Sequence, residues 1–131
     1  MTGVYNQGIY IDGEFFNVPI VSIQRTAELL DKVAKRSEKG DLYRELIGTY
    51  YNYQMAFGTI NDVAAYKRLW DKLTEPKEFH EIKLPENDGM TEFTGYISSV
   101  SDTVQRIFPN RVTYTGLTCK MTAKEPNRRP S

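Results

Sequence analysis

The stretch Asp41-Leu-Tyr-Arg-Glu-Leu-Ile-Gly-Thr-Tyr-Tyr-Asn-Tyr-Gln-Met-Ala-Phe57 constrains this chain more than any other. Tyr43, Ile47, Tyr51, Tyr53, Met55 and Phe57 stand two residues apart or a multiple of two, so a strand puts them on one face. Arg44, Asn52 and Gln54 fall on the other, among Leu46, Gly48 and Tyr50. A strand of about fifteen residues reaches about 50 Å, far past the usual ~17–20 Å. A domain of this size does not cover both ends of such a strand. It either bends at Gly48 or projects towards a neighbour, which favours a structural or assembly protein.

The length of 131 residues fits one domain, with 127–131, polar and proline-containing, expected as a flexible tail after a 1–126 domain. Seventeen basic residues balance seventeen acidic ones, so no global field draws the chain to nucleic acid. Cys119 is the only cysteine and cannot form an internal disulfide. The first residues lack a secretory pattern, and no segment nears the ~20 apolar residues of a membrane span. A soluble protein of a reducing cytoplasm, without membrane contact, is the expectation.

Along the chain, Asp12-Gly13 between Ile9-Tyr-Ile11 and Glu14-Phe-Phe16 signals a two-residue hairpin. An extended run follows from Val18 to Arg25. Residues 26–41 are open to two readings. Ala27, Leu30, Val33 and Ala34 have helical spacing, yet the segment also suits a long loop between strands, ordered when a neighbour packs on Leu29, Leu30 and Val33. The helix expected over 61–74 has Asn61 to cap it, a Tyr66, Leu69, Trp70, Leu73 stripe to seat it on a sheet, and Pro76 to end it. Strands are expected over 77–84, 91–100 and 111–123, with a turn at 85–89 and a loop at 101–110. The order gives a β-rich α+β domain with one flanking helix.

Chemistry-bearing residues are sparse. His80 is the only histidine, and with Glu78 or Glu81 it makes the one enzyme reading, an acid–base pair. Cys119 lies on the apolar face of its strand and reads as a small buried hydrophobe. No phosphate loop, dinucleotide fingerprint or metal-ligand spacing is present, so no catalytic, metal or cofactor site is assigned. Tyr50, Tyr51 and Tyr53 offer a second reading, a small monomeric module binding carbohydrate or peptide through a tyrosine-rich face. Arg25, Arg36 and Arg44 sit among acids around the 26–41 segment, a mixture that suits a rim of inter-subunit ion pairs.

The order of motifs adds a family. Val21-Ser-Ile-Gln-Arg25, Ala34-Lys-Arg-Ser-Glu-Lys-Gly40 running on to Gly48, Tyr66-Lys-Arg-Leu-Trp-Asp-Lys-Leu73, Phe79-His-Glu-Ile82, Phe93-Thr-Gly-Tyr96 and Gly116-Leu-Thr-Cys-Lys-Met-Thr-Ala123 together resemble small tail proteins of long-tailed bacteriophages and prophages, over about residues 9 to 126. The resemblance is to the tail-tube-like group, which spans the tube subunit and the ring domain of the distal tail protein. It implies a β-sandwich or partial barrel with one helix (about 61–74) and a long inter-strand loop (about 26–41). It further implies a non-enzymatic virion component, built in the host cytoplasm and often hexameric. Such a ring stacks on other tail proteins, and DNA passes it transiently, without sequence preference. The subunit contact would then use Arg25, Leu29, Leu30, Val33, Arg36 and Arg44.

Overall fold

A computed structural model of the protein describes residues 8–87 and 89–130, and for Val33 the backbone alone. The elements are β1 (Ile9–Ile11), β2 (Glu14–Phe16), β3 (Ile20–Arg36), β4 (Leu42–Phe57), α1 (Val63–Leu73), β5 (His80–Glu86), β6 (Gly89–Phe108) and β7 (Arg111–Ala123). The strands form one sheet in the order β2-β1-β5-β6-β7-β4-β3, antiparallel throughout.

The connectivity forces that sheet to roll. β2 and β3 stand at opposite ends of the strand order, yet residues 17–19 alone join them. Laid flat, seven strands would separate the two by about 29 Å at ~4.8 Å per neighbour. The connector spans at most about 14 Å. The ends must therefore approach each other, and Gly58 N donating to Pro19 O at 2.8 Å ties the entrance of β3 to the exit of β4. The result is a β-rich α+β partial barrel with one helix, the fold class expected.

The inside of the roll is the core: Ile9 and Ile11, Phe16, Tyr53, Met55 and Phe57, Ile82 and Leu84, Leu117, Cys119 and Met121, all buried. Their period of two along each strand is the burial pattern of a sheet with one dry face. Helix α1 covers part of this face with Tyr66, Leu69 and Leu73, and Trp70 packs half-buried beside them. Its N-cap is Asp62, one residue after the expected Asn61, with Oδ1 accepting from Ala64 N and Ala65 N at 3.0 and 3.2 Å. Arg68 reaches Glu14 at 2.9 Å and stands over the Phe16 ring, while the Tyr66 ring stacks on Tyr114 at 5.3 Å. The helix thus spans from β2 to β7.

Two segments depart from expectation. Residues 26–36 are neither helix nor loop: β3 continues through them, and only Ser37–Asp41 turns. The long inter-strand loop over 26–41 is therefore a hairpin arm. Ten register pairs with β4, from Thr26 opposite Asn52 to Arg36 opposite Leu42, decide this: the ladder fixes backbone groups that a short, charged, isolated helix would hold only marginally. Gly40, at φ +86°, lets the chain reverse, and Ser37 N donates to Asp41 O at 2.7 Å. Likewise, the expected loop 101–110 is mostly strand, with β6 running to Phe108 and a two-residue turn into β7.

The turn at 85–89 shortens as β5 extends through Glu86; Asp88 and the N-terminal residues 1–7 lie outside the described residues. The start of the expected flexible tail is held. Asn127 N and Arg128 N donate to Thr49 O, Thr49 N donates to Arg128 O, and Asn127 Oδ1 accepts from Tyr51 N at 2.8 Å. Gly48 permits this approach, since a Cβ there would come within 2.6 Å of Arg128 O.

Candidate functional site

The register places two arms at opposite ends of the sheet. β4 meets β7 only between Asn52–Ala56 and Thr118–Thr122. Because the strands are antiparallel, residues 42–51 of β4 run past one end of that overlap, and residues 111–117 of β7 run past the other. Each extension stays paired with its hairpin partner, β3 in the first arm and β6 in the second. Most of the large apolar side chains that remain exposed lie there: Leu29, Leu30, Leu42, Tyr43, Leu46 and Ile47 on the first arm, Val104 and Ile107 on the second. Such surface is costly to leave wet and marks contact sites.

The outer edge of β3 is the other unusual feature. β3 ends the strand order, so over its 17 residues, about 55 Å, one edge has no strand beside it among the described residues. Val21 is 72% exposed beside it. A long flat edge is a template for pairing with another chain.

The residues expected at the subunit contact are spread along the first arm rather than gathered at one point. Leu29 and Leu30 are 53% and 42% exposed. They face opposite ways, Leu29 across from Thr49 and Leu30 across from Gly48. The three arginines each have an internal partner. Arg25 binds Glu86 at 2.7 Å and lies over the Tyr51 ring. Arg36 donates to Gly40 O at 2.9 Å and closes the turn, and Arg44 pairs with Asp31 across the arm. Glu86 also accepts from the buried Tyr53 hydroxyl at 3.2 Å, and burial first, then this carboxylate, push that phenol up to about 12. The base of the arm is thereby bolted to β5.

The tyrosines do not form one exposed platform: Tyr53 is buried and stacked on Phe93, and Tyr50 and Tyr51 lie on opposite faces of β4. His80 is 2% exposed and pairs with neither Glu78 nor Glu81. Its Nδ1 lies 2.7 Å from Asp12 Oδ2, in the turn between β1 and β2. Asp12, His80 and Glu75 place possible metal-ligand atoms within 4.8 Å of one another. Two ammonium groups already serve these carboxylates, Lys77 at 3.3 Å and Lys72 at 3.9 Å from Asp12, with Lys72 3.4 Å from Glu75. Burial pushes the Cys119 thiol up to about 12, which makes it a packed hydrophobe rather than a nucleophile.

Asp12 is a structural staple. Partial burial works against its charge, but hydrogen bonds from His80, Glu81 N and Lys77 outweigh that and hold the carboxyl at about 2, below its ordinary 3.8. The unfolded chain therefore binds more protons between about pH 4 and pH 2. The stability Asp12 contributes is complete above pH 4 and disappears as pH falls to about 2. Asp12→Asn, which tolerates the positive φ of the turn, is expected to cost on the order of 1–2 kcal/mol at pH 7, after allowance for solvent screening, and almost nothing at pH 2. Urea unfolding at both pH values checks it, and equal losses would remove the carboxylate's role.

A cleft of about 410 Å³ lies between α1 and the second arm, lined by Ile60, Val63, Trp70, Val112 and Tyr114. On its wall the Tyr66 hydroxyl donates to Asp102, and burial together with that carboxylate pushes the phenol above its usual range. The helix and β7 sides of this cleft were legible in the sequence, while Asp102 fell in a presumed loop.

No family model matches the sequence, and neither does any curated protein. Solved structures share its fold. One is a chain in the tail of an empty gene transfer agent particle, refined helically with C6 symmetry; it aligns with a TM-score of 0.55 at 17% identity, covering 96% of each chain. Another, in the virion of a native gene transfer agent particle, gives 0.52 at 16% identity, again over 96% of each chain. The gene transfer agents are phage-like, and the resemblance to phage tail proteins read from the sequence agrees with them at the level of fold.

Proposed function

We propose that this chain is a structural subunit of a phage or prophage tail, without catalytic activity, that self-associates into a ring around the DNA channel and stacks on other tail proteins. The unpaired outer edge of β3 carries this reading. A monomer with such an edge and two apolar arms risks open-ended aggregation, and a closed ring removes the risk by covering each edge with the next copy. Six copies per ring is the number favoured by the C6 symmetry of the related tail. The tube subunit and the distal-tail ring domain are equally compatible roles. DNA would pass transiently, because the chain has no net charge to hold it. Assembly would take place in the bacterial host cytoplasm and end in the virion tail.

Light scattering from dilute to concentrated protein, with electron microscopy of the same samples, tests this. Rings or tubes with about six copies per layer are expected. A strict monomer at every concentration, even when an assembled tail tip is added, would overturn self-assembly.

A further inference from the structure

Beyond β7 the chain crosses the sheet as a strap. Lys124 N donates to Thr94 O at 2.8 Å, and the following residues turn onto β4. There Thr49 and Arg128 exchange both backbone bonds, Thr49 N to Arg128 O at 2.8 Å and Arg128 N to Thr49 O at 3.2 Å. Asn127 Oδ1 accepts from Tyr51 N at 2.8 Å. Gly48 makes the room, since a Cβ on it would come within 2.7 Å of the Pro126 ring. The strap is thus an added strand one pair long. It lies on the side of β4 that faces β7, where β4 has run beyond its partner.

Two features make the strap a cover rather than a member of the sheet. Its hold is slight: residues 124–130 include no buried side chain, and a cleft of about 430 Å³ lies between the strap and β6. A few hydrogen bonds set against the entropy of fixing the segment leave little net stabilisation. The strap should therefore open far more readily than the strands beside it. Its outer side is also blunted. Pro126 and Pro130 have no N–H to offer, and Arg128 and Arg129 add charge, the devices that stop an edge from templating another chain.

The covered edge is the one a second copy needs. Apart from Arg128, nothing among the described residues pairs with β4 over 42–51 on that side. The outer edge of β3 requires a long complement, and β2, at the far end of the strand order, offers only three residues. Residues 42–51 of β4 form a longer free edge than either β2 or residues 111–117 of β7.

We infer that the C-terminal strap is an autoinhibitory guard: it occupies the side of β4 on which the outer β3 edge of a second copy pairs, and it must leave before copies join there. The inference rests on the self-assembly reading above and adds its control. Each free copy then carries one open edge and one guarded edge, and only the fraction with the strap displaced is competent to pair.

A reversible tether tests this within the full chain. Thr49→Cys with Arg128→Cys places two thiols on a hydrogen-bonded pair, whose Cα atoms stand about 5.5 Å apart, within reach of a disulfide. Reduced, the variant is expected to assemble like the unmodified protein in light scattering; oxidised, it should stay monomeric at the same concentrations. Deleting residues 127–131 should act the other way. If the strap is open in about one copy in ten, deletion lowers the concentration needed for assembly about tenfold. Equal assembly of the oxidised and reduced forms overturns the guard and leaves the ring reading intact. Should the reduced variant or the unmodified chain remain monomeric, the deletion decides. Assembly of the shortened chain alone supports the guard, whereas a monomer even with an assembled tail tip present overturns guard and ring together. Circular dichroism establishes that the shortened chain is folded, and Asn127→Ala, which removes the bond to Tyr51 N, replaces the deletion if it is not.

Discussion

Replacing Leu69 with alanine is expected to lower the stability of the monomer by about 3–4 kcal/mol. Leu69 is fully buried at the centre of the helix's apolar face, between Tyr66 and Leu73, where α1 meets the inner wall of the rolled sheet. Truncation removes three side-chain carbons from water-free contact and leaves a cavity that neither the paired strands nor the short helix can easily close. Eleven residues are too few to hold a helix by propensity alone, so the docking of this face keeps α1 formed. The melting temperature should fall by about 10 °C or more, given ~2–8 °C per kcal/mol in domains of this size range. Lys67→Ala is the control on the same helix. Its ion pair with Asp71 at 2.7 Å is exposed at both ends and contributes only about 0.3–0.5 kcal/mol. Urea titration of both variants decides the matter, and a Leu69→Ala loss no larger than that of Lys67→Ala would mean that α1 is not seated on the core.

The helix was legible because its signals are local. Asn61, the Tyr66 to Leu73 spacing and Pro76 all lie within one stretch; the cap moved one residue, to Asp62, and the boundaries by only one or two. The Asp12-Gly13 hairpin was legible for the same reason: both residues hold the positive φ that the turn requires, +54° and +82°. The arms were not. Ala27-Glu-Leu-Leu-Asp-Lys32 has no strand preference of its own and becomes strand because Tyr50, Tyr51 and their neighbours on β4 provide a ladder for it. That information sits in the partner strand, not in the segment. In 101–108 two register irregularities blur the period-two pattern, so the strand reads as a loop. The Asp12–His80 staple joins residues 68 positions apart, and no spacing rule could pair them. The shape of the segment expected at the subunit contact, a hairpin arm rather than a helix or loop, was not legible. An arm presents two faces, and Leu29 and Leu30 lie on different ones.

That division makes a paired substitution informative. Leu29→Ser with Leu30→Ser is expected to weaken assembly by at least about 100-fold in the protein concentration required. Burying a leucine is worth roughly 1.5–3 kcal/mol, and each 1.4 kcal/mol changes an association constant about tenfold. In the proposed ring the loss would repeat at every contact, so assembly should disappear over a narrow range. The monomer should be almost untouched, since both side chains are already wet in the free chain and neither belongs to the core. Light scattering follows assembly, and urea unfolding in dilute solution follows the fold. The single substitutions then separate the faces. If Leu29→Ser alone reproduces the loss, the contact lies on the face that carries Tyr51 and Tyr53 at the base of the arm; if Leu30→Ser does, it lies on the reverse face with Tyr50 and Asn52. Rings of unchanged mass in the double variant would remove both leucines from the subunit contact and leave the outer edge of β3 to make it through backbone pairing alone.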